Sequence, residues 1–320
     1  MSRAAQKLIS ASGSKEAYEI EQSCRFNFSN QAYLSRTPSS TGNQRTWTLS
    51  FWAKIANPQN TYVLSAGEIA SSSPAMETFM QSGGWQSAFY GQNYSPQYWR
   101  TSTVYDQAED PAAWYHIFYV QDTTQSTAAN RTRTWINGVE FVMATTAIHS
   151  SFSYPDEDEQ GLMNTQILHR IGGTADNSQY MDGNLAEMHF IDGTAKAVGD
   201  FGETDSETGQ WIPKKYGGGS YGTNGFYLKF KSGAIGTDSS GNGNNWTTNN
   251  IANSDILLDT PTNNFPTYNN LHNGSTVLSE ANLKFVNSSG NSDTGCTMQI
   301  PFTGKWYWEI RATAVDAMYY

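Results

Sequence analysis

The sequence predicts an all-β protein whose main part is an antiparallel sandwich. Aromatic residues make up 13% of the 320 residues, and charged residues only 15%. Short runs of aromatic and β-branched residues, which suit a pleated sheet, alternate with clusters of Gly, Ser, Thr and Asn, which favour turns. Roughly a dozen such runs between Ile20 and Thr194 have the spacing that is typical of a sandwich of short strands.

The clearest elements lie in the middle of the chain. The run WYHIFYV at residues 114–120 predicts a strand, and a polar loop follows it. Residues 132–136 and 139–143 then flank Asn137-Gly138. Asn-Gly between two such runs predicts a tight hairpin, because a type I′ turn requires positive φ at both central positions. We therefore expect a central strand, a surface loop and a hairpin in direct succession.

The other strand candidates show alternation of apolar and polar residues, in which neighbouring positions belong to opposite faces. In residues 47–55, WTLSFWAKI, we expect Trp47, Leu49 and Phe51 to share one face and Trp52 to lie on the other. Further candidates are residues 24–28, 61–65, 166–171, 185–191, 226–231, 256–258 and 305–311.

Changes in composition divide the chain into four parts. Residues 1–19 hold a helical piece too short to be stable alone, and predict a segment that either frays or docks on a larger assembly. Residues 20–195 hold the predicted sandwich. Residues 196–276 are polar and rich in Gly and Asn, and predict an extended connector that lays a few strands against its neighbours. Residues 277–320 predict the start of a second, incomplete β unit.

The bulk composition restricts the partners and the compartment. The 29 acidic and 19 basic residues give a net charge of −10, opposite in sign to a nucleic-acid-binding surface. No apolar run approaches the roughly 20 residues of a membrane span, and the N-terminus lacks the apolar core of a secretion signal. We therefore expect synthesis in a cytoplasm without export, nucleic acid binding or membrane insertion. Cys24 and Cys296 match no metal spacing, and we expect both to be reduced and mostly buried.

Several phrases of the sequence, taken in order, resemble a known family. They are FNFSNQAYLSRTPSSTGNQRTWTLSFWAKI, AWYHIFYVQDTTQ, RTWINGVEF and YMDGNLAEMHFIDG. Together they look like a laminin-G-like domain of the concanavalin-A-like lectin and glucanase superfamily, which implies a jelly-roll sandwich. With FGETDSETGQWIPKKY and GTDSSGNGNNWT, residues 20–265 resemble virion proteins of bacteriophages, especially aquatic ones, of the tail-fibre type. LSEANLKFVNSS and MQIPFTGKWYWEI resemble the opening of a SPRY-type sandwich. This resemblance leaves two alternatives, a fragment of a longer product or final strands that complete another sheet.

The glucanase side of this superfamily implies a search for catalytic carboxylates. Retaining glycosidases place two carboxylates about 5 Å apart. Related hydrolases carry them on one strand in an E-x-D-x-x-E or E-x-D-x-E pattern, which this sequence lacks. Glu187 and His189 are two positions apart on a predicted strand and would share a face, at a sheet edge or in a site. Four consecutive acidic residues, 156–159, predict a solvated loop. We expect no catalytic residues and no enzymatic activity, with a glucanase-type glycan-degrading enzyme as the alternative.

Calcium is the one metal that the sequence supports. Asp238, Ser240 and Asn242 place oxygens at alternate positions, with Gly243 at the sixth, as at the start of a calcium-binding loop. The twelfth position lacks the Glu of such a loop, so a hydrogen-bonded turn is the better interpretation. Further calcium candidates at strand ends are Asp122 and Asp182.

Aromatic residues among amides and hydroxyls supply the candidate ligand-binding site. Five of them lie in residues 85–105, namely Trp85, Tyr90, Tyr94, Tyr98 and Trp99. Such rings present an apolar body beside polar groups that a sugar can contact. They serve equally well as core or as a subunit interface, and the sequence leaves these three roles open.

The resemblance implies a function in a phage particle. We expect a non-enzymatic virion protein, either a tail fibre or a receptor-binding component. Its N-terminal segment would contact other virion proteins, and it would work as a homo-oligomer in which many weak contacts add up. A host-surface glycan is a further expected partner. The alternative with the same fold is a capsid-associated fibre or decoration protein.

Overall fold

The computed structural model describes residues 18–57, 61–67, 76–81, 84–90, 96–100, 110–141, 154–177, 179–269, 276–287, 309 and 311. In chain order, the strands of this part are β1 Ser23–Phe26, β2 Tyr33–Arg36, β3 Thr46–Ile55, β4 Thr61–Ala66, β5 Met76–Gln81, β6 Gly84–Tyr90, β7 Pro96–Arg100, β8 Tyr115–Asp122, β9 Thr132–Ile136, β10 Val139–Phe141, β11 His169–Ile171, β12 Gly183–Asp192, β13 Gly202–Thr204, β14 Trp211–Pro213, β15 Phe226–Leu228, β16 Thr247–Asn249, β17 Ile256–Leu257, β18 Thr276–Ser279 and β19 Lys284–Asn287. Single 3-10 turns lie at Phe28–Asn30, Ala128–Asn130, Val198–Asp200 and Asn253–Asp255.

The strands form two large antiparallel sheets. Sheet A has the order β10-β9-β8-β3-β12-β1-β17, and β15 pairs with β12 beside β1. Sheet B has the order β16-β2-β11-β4-β5-β6-β7. Two hairpins, β13-β14 and β18-β19, stand apart from them. The all-β jelly-roll sandwich expected from the sequence is confirmed.

The core lies between the two sheets. Trp47, Leu49 and Phe51 of β3 are fully buried in it, and the ring of Trp47 stacks on Tyr119 of β8 with 5.0 Å between centroids. Trp52 lies in a separate cluster on the other face of sheet A, so the predicted division of faces is confirmed. Each large apolar side chain buried in this way stabilises the fold by roughly 1.5–3 kcal/mol.

The predicted hairpin is present as well. β9 and β10 pair with Ile136 opposite Val139, and Asn137 and Gly138 both have positive φ, 49° and 78°. A side chain at Gly138 would also collide with the ring of Trp211, because an added Cβ would be 2.4 Å from it. The preceding strand, β8, pairs with both β3 and β9, so it lies inside sheet A as predicted.

The predicted connector contributes to both sheets. β15 pairs with β12, β16 with β2, and β17 with β1. Phe226 and Trp246 belong to the core between the sheets. The sandwich therefore takes strands from both sides of position 195. Of the predicted second β unit, the described part holds the β18-β19 hairpin, which pairs with itself.

Residues 196–227 are called here the cover segment. Its aromatic side chains at 201, 211 and 216 lie on the outer face of sheet A, and its last two residues begin β15 of that sheet. Phe201 contacts Phe118 of β8 at 5.5 Å between ring centroids and stacks on Tyr216 at 4.7 Å. Trp211 stacks on His116 at 6.0 Å. Because these rings exclude water, the polar side chains of this face must find partners inside the protein.

Candidate functional site

A β-bulge in β12 forms the most unusual polar site of the described structure. The pairing of β12 with β3 shifts between Ala186 and His189, and Glu187 has a φ of +46°. Strict alternation from Leu185 would point Glu187 into the core. The extra residue of the bulge sends Met188 there instead, and so keeps Glu187 on the outer face with His189. Positive φ at a non-glycine residue stores backbone strain, and residues strained in this way are found most often at functional sites.

Glu187 is the centre of a set of hydrogen bonds. The hydroxyl of Tyr18 donates to its Oε1 at 2.5 Å, and the hydroxyl of Tyr227 donates to the same atom. Its Oε2 lies 3.8 Å from Nε2 of His189. Burial alone would raise the pKa of Glu187. The contacts with His189 and the two tyrosines lower this pKa by more than burial raises it, so the net shift is downward. The carboxylate therefore stays ionised although only 9% of its side chain is exposed.

Aromatic rings enclose the histidine of this set. The ring of His189 stacks on Tyr227 at 4.0 Å, and its Nδ1 is 2.8 Å from the hydroxyl of Tyr221. Only 5% of the His189 side chain is exposed. We call Tyr18, Glu187, His189, Tyr221 and Tyr227 the Glu187 cluster. A chain of carboxylate, imidazole and phenol can move a proton, but here its polar atoms contact one another, and Glu187 and His189 are nearly inaccessible.

His116 lies on the same face, on β8 and thus two strands from β12, and is held as a neutral ring. Nε1 of Trp211 donates to its Nδ1 at 3.0 Å. The ring proton must then be on Nε2, which lies 2.9 Å from Oγ of Ser50 and donates to it. Burial, reinforced by repulsion from His189, lowers the pKa of His116 to about 3. This imidazole is therefore a structural group and cannot carry charge near neutral pH.

The outer face of sheet B is more accessible. Tyr33, Ser35, Tyr62 and Asn249 are partly exposed there, and Thr247 is exposed. We call these five residues the sheet B face. Register supports the grouping, because Ser35 lies opposite Thr247 and Tyr33 opposite Asn249. On β4, Val63 and Leu64 both point into the core across a register shift, which leaves Tyr62 on the outer side.

An arginine covers part of this face. The guanidinium of Arg170 lies over the ring of Tyr33, 4.2 Å from its centroid. Its Nη1 donates to the carbonyl oxygen of Thr174 and to Oδ1 of Asn177. Such a cation–π contact with two hydrogen bonds fixes the loop after β11 onto the sheet. Phe28 lies at the edge of this patch and is 52% exposed.

Four of the five aromatic residues predicted as a ligand or interface site lie on two neighbouring strands of sheet B. β6 and β7 are the last two strands of sheet B, and their register pairs Ala88 with Tyr98 and Tyr90 with Pro96. Ala88 also pairs with Glu77 of β5, which in turn pairs with Ser65 of β4. Trp85 and Tyr90 lie on β6, and Tyr98 and Trp99 lie on β7. Tyr94 lies outside the described residues.

The predicted calcium loop is folded around its own carboxylate. Both oxygens of Asp238 accept hydrogen bonds: Oδ1 from the backbone N–H groups of Tyr227 and Ser240, and Oδ2 from the hydroxyl of Ser240 and the N–H of Asn244. The side-chain nitrogen of Asn242 donates to two backbone carbonyl groups. Four donors directed at one carboxylate would oppose a cation at the same place. The geometry is that of a hydrogen-bonded turn.

The other acidic candidates are also engaged. Asp122 accepts from the hydroxyls of Thr46 and Thr124 and from Nε2 of Gln125. Burial raises the pKa of Asp182 to about 6, although N–H groups of Ala281 and Phe28 and the charge of Arg25 oppose the shift. Within the described ranges, no three His, Cys, Asp or Glu side chains gather in a way that could hold a metal ion.

The acidic loop and the cysteine follow the expected pattern where the structure describes them. Residues 156–158 are exposed, and Glu157 pairs with Arg131 at 3.3 Å. Cys24 is a buried free thiol. In the part of the chain that is described, no helix has the length and apolar character needed to cross a membrane.

Sequence reasoning found Glu187 and His189 but missed their partners. Tyr18, Tyr221 and Tyr227 reach the cluster from the N-terminal segment and from the cover segment, which are distant in sequence. No local pattern marks such tyrosines. The one sequence signal was the low charge and high aromatic content of residues 216–227, YGGGSYGTNGFY.

Comparison with known proteins gives resemblance in fold only. No family model matches the sequence, and no curated protein matches it significantly. Among solved structures, a SAP-like pentraxin from Limulus polyphemus shares 15% identity over 56% of this chain and 80% of its own, with a TM-score of 0.35. Mouse laminin α1 domains LG4-5 share 7% identity over 70% of this chain and 52% of their own, with a TM-score of 0.35.

A third similar structure is the enzymatically active domain of bacteriophage CBA120 tailspike protein 2. It shares 12% identity over 60% of this chain, and the chain spans 31% of its length, with a TM-score of 0.35. All three have the same TM-score and an identity of 15% or less. At such identities and scores, they give no information on what this protein binds or does.

Proposed function

We propose that this protein is a non-enzymatic structural component of a bacteriophage particle, of the tail-fibre or receptor-binding type, and that it contacts host-surface glycans through the sheet B face. The observation that carries the proposal is the unequal cover of the two sheets. The cover segment seals the outer face of sheet A. The sheet B face keeps tyrosine, hydroxyl and amide side chains at its surface. The assignment to a phage rests on the resemblance of the sequence phrases.

The composition of the sheet B face suits a sugar better than an apolar partner. The ring of Tyr62 can stack on the apolar face of a sugar, while Ser35, Thr247 and Asn249 offer donors and acceptors for its hydroxyls. A shallow, mostly polar surface of this kind binds weakly per copy, so we expect several copies to act together.

Glycan binding can be tested with the full chain on an array of bacterial surface polysaccharides and in a host-cell adsorption assay. We expect Tyr62→Ser to weaken binding by about tenfold, the equivalent of about 1.4 kcal/mol. Val139→Ser, at the far edge of sheet A and 62% exposed, is the matched control and should bind as the wild type does. If the folded wild type binds neither cells nor polysaccharide, the glycan proposal fails.

The non-enzymatic part of the proposal is supported by the state of Glu187 and His189. Both are nearly inaccessible and bonded to tyrosines of the protein itself. A glycosidase needs two carboxylates about 5–10 Å apart that open on the substrate. We expect no release of reducing ends from any polysaccharide that the protein binds. Heat-denatured protein sets the background for this assay. If the folded protein releases more reducing ends than this background, and Glu187→Gln releases as many as the wild type, a catalytic pair must lie elsewhere in the chain.

A further inference from the structure

A buried amine lies between a carboxylate and a carboxamide on sheet A. Nζ of Lys54 is 2.8 Å from Oδ2 of Asp259 and 2.8 Å from Oδ1 of Asn264. The side chains of Lys54 and Asp259 are only 2% and 4% exposed. Lys54 belongs to β3 in the middle of sheet A, whereas the other two residues follow β17. Three groups that can react with one another are thus brought together by the tertiary fold.

Neighbouring groups hold the carboxylate and the carboxamide in place. Nε1 of Trp114 and the backbone N–H of Phe265 donate to Oδ1 of Asp259 at 2.9 and 3.2 Å. Nδ2 of Asn264 donates to the carbonyl oxygen of Ala112 at 2.8 Å. The amide nitrogen of Asn264 is therefore fixed on one side, and its carbonyl group is turned towards Lys54. Such positioning of a nucleophile beside a carbonyl is what makes an intramolecular reaction fast.

The carboxylate is also placed to move the proton that the reaction requires. Oδ2 of Asp259 lies 2.8 Å from Nζ, within reach to take a proton from Lys54 and later deliver it. The carbonyl oxygen of Phe265, 2.6 Å from Nζ, accepts a further hydrogen bond and keeps the amine oriented.

We propose that Lys54 and Asn264 form an intramolecular isopeptide bond, with Asp259 as the proton carrier. The free amine of Lys54 attacks Cγ of Asn264 and forms the new C–N bond. Asp259 passes the proton from the attacking nitrogen to the amide nitrogen, whose bond to Cγ then breaks. The Lys54 ammonium and the Asn264 carboxamide thus become one secondary amide and one ammonium ion. Charge and atoms balance, and neither an oxidant nor water is consumed.

The cross-link would join two parts of the chain that lie 210 residues apart in sequence. It would tie β3, a central strand, to the segment after β17 and so lock the late strands onto the sandwich. A covalent bridge between distant residues restricts mainly the unfolded chain. The inference stands on this geometry and is independent of the proposed glycan binding.

The proposal is tested by the intact mass of the purified, folded full-length chain. We expect a mass below that of the sequence by one ammonia, and a branched peptide that joins Lys54 to Asn264 after proteolysis. Asn264→Ala should restore the unmodified mass, and because this side chain is exposed, the variant should still fold. Asn263→Ala, at the neighbouring exposed position, is the matched control and should keep the ammonia loss.

Two results would overturn the proposal. The first is a wild-type chain, folded and incubated for days at neutral and mildly alkaline pH, that keeps the full mass of its sequence. The second is ammonia loss that persists in Asn264→Ala, since cyclisation at an Asn-Gly pair such as Asn137-Gly138 also releases ammonia. Lys54→Arg keeps the positive charge but removes the nucleophilic amine. If this variant folds and still loses ammonia, the assignment of Lys54 is wrong.

Discussion

Nε1 of Trp211 donates a hydrogen bond to Nδ1 of His116 across 3.0 Å, and so joins the cover segment to the middle of sheet A. Trp211→Phe keeps an aromatic ring at this position but removes the N–H group, so that Nδ1 of His116 is buried without a donor. We expect a loss of about 1–3 kcal/mol in the free energy of unfolding, measured by urea denaturation. Trp246→Phe is the control, because Nε1 of Trp246 is buried without a partner. This second variant should lose less, and an equal loss would show that packing alone is involved.

Two buried histidines make the protein sensitive to acid. Burial lowers the pKa of His116 to about 3 and that of His169 to about 4. His169 is neutral because its Nε2 accepts the backbone N–H of Asn164, while its Nδ1 donates to the carbonyl oxygen of Ile167. In the unfolded chain both rings regain a pKa near 6.5, so the unfolded state binds more protons than the folded state between those values.

Stability should therefore be intact above pH 6.5 and fall as the pH drops towards 4. Each histidine contributes a slope of up to about 1.4 kcal/mol per pH unit in this range. Urea unfolding at a series of pH values measures that slope, and His116→Gln should remove the part due to His116. A slope that stays the same in His116→Gln would mean that other groups cause the acid sensitivity.

The Glu187 cluster fixes the start of the sandwich. Tyr18→Phe removes one of the two phenol donors to Glu187, and we expect it to cost about 1 kcal/mol. It should also increase hydrogen exchange of the backbone around Ile20, which packs with Trp52 and Trp114. In Tyr180→Phe, the lost hydroxyl made only a 3.4 Å contact with Asn177. That control should change neither quantity, and equal effects of the two variants would rule out a special role for Tyr18.

Gly138 is required by both conformation and space. Gly138→Ala forces a side chain into positive φ and against the ring of Trp211, and we expect a loss of about 2 kcal/mol or more in the free energy of unfolding. Gly199→Ala is the matched control, since no atom lies within 4 Å of an added Cβ and φ is not positive there. Thermal unfolding of both variants measures the difference, and a neutral Gly138→Ala would contradict the turn geometry.

The turn at Asp238 should be independent of calcium. Asp238→Ala removes the acceptor of four hydrogen bonds, and we expect a loss of about 2–3 kcal/mol in the free energy of unfolding. The melting temperature of the wild type should be the same in calcium and in a chelator. A calcium-dependent rise in the wild type that is lost in Asp238→Ala would instead establish a metal site.

The features that could be predicted from sequence are the local ones. The hairpin at Asn137-Gly138 and the two faces of β3 follow from turn chemistry and alternation, which neighbouring residues determine. The bulge at Glu187 breaks that alternation, and nothing in GNLAEMHFID marks the extra residue. The packing of the cover segment on sheet A could not be predicted either, because polar, Gly-rich sequence of the kind in residues 196–227 ordinarily predicts a surface loop. The tertiary packing of its few aromatic rings decides otherwise.

The pairing of late strands with early ones has a consequence for how the chain acquires its structure. Ser23 lies opposite Leu257, and Ser35 contacts Asn249 across 214 positions of sequence. A nascent chain that has emerged only as far as β12 would expose β1 and β2 as unpaired edges, which invite association with other chains. The high contact order should make spontaneous refolding slow. A truncation before β15 should accumulate as aggregates, whereas one that retains β17 should remain in solution.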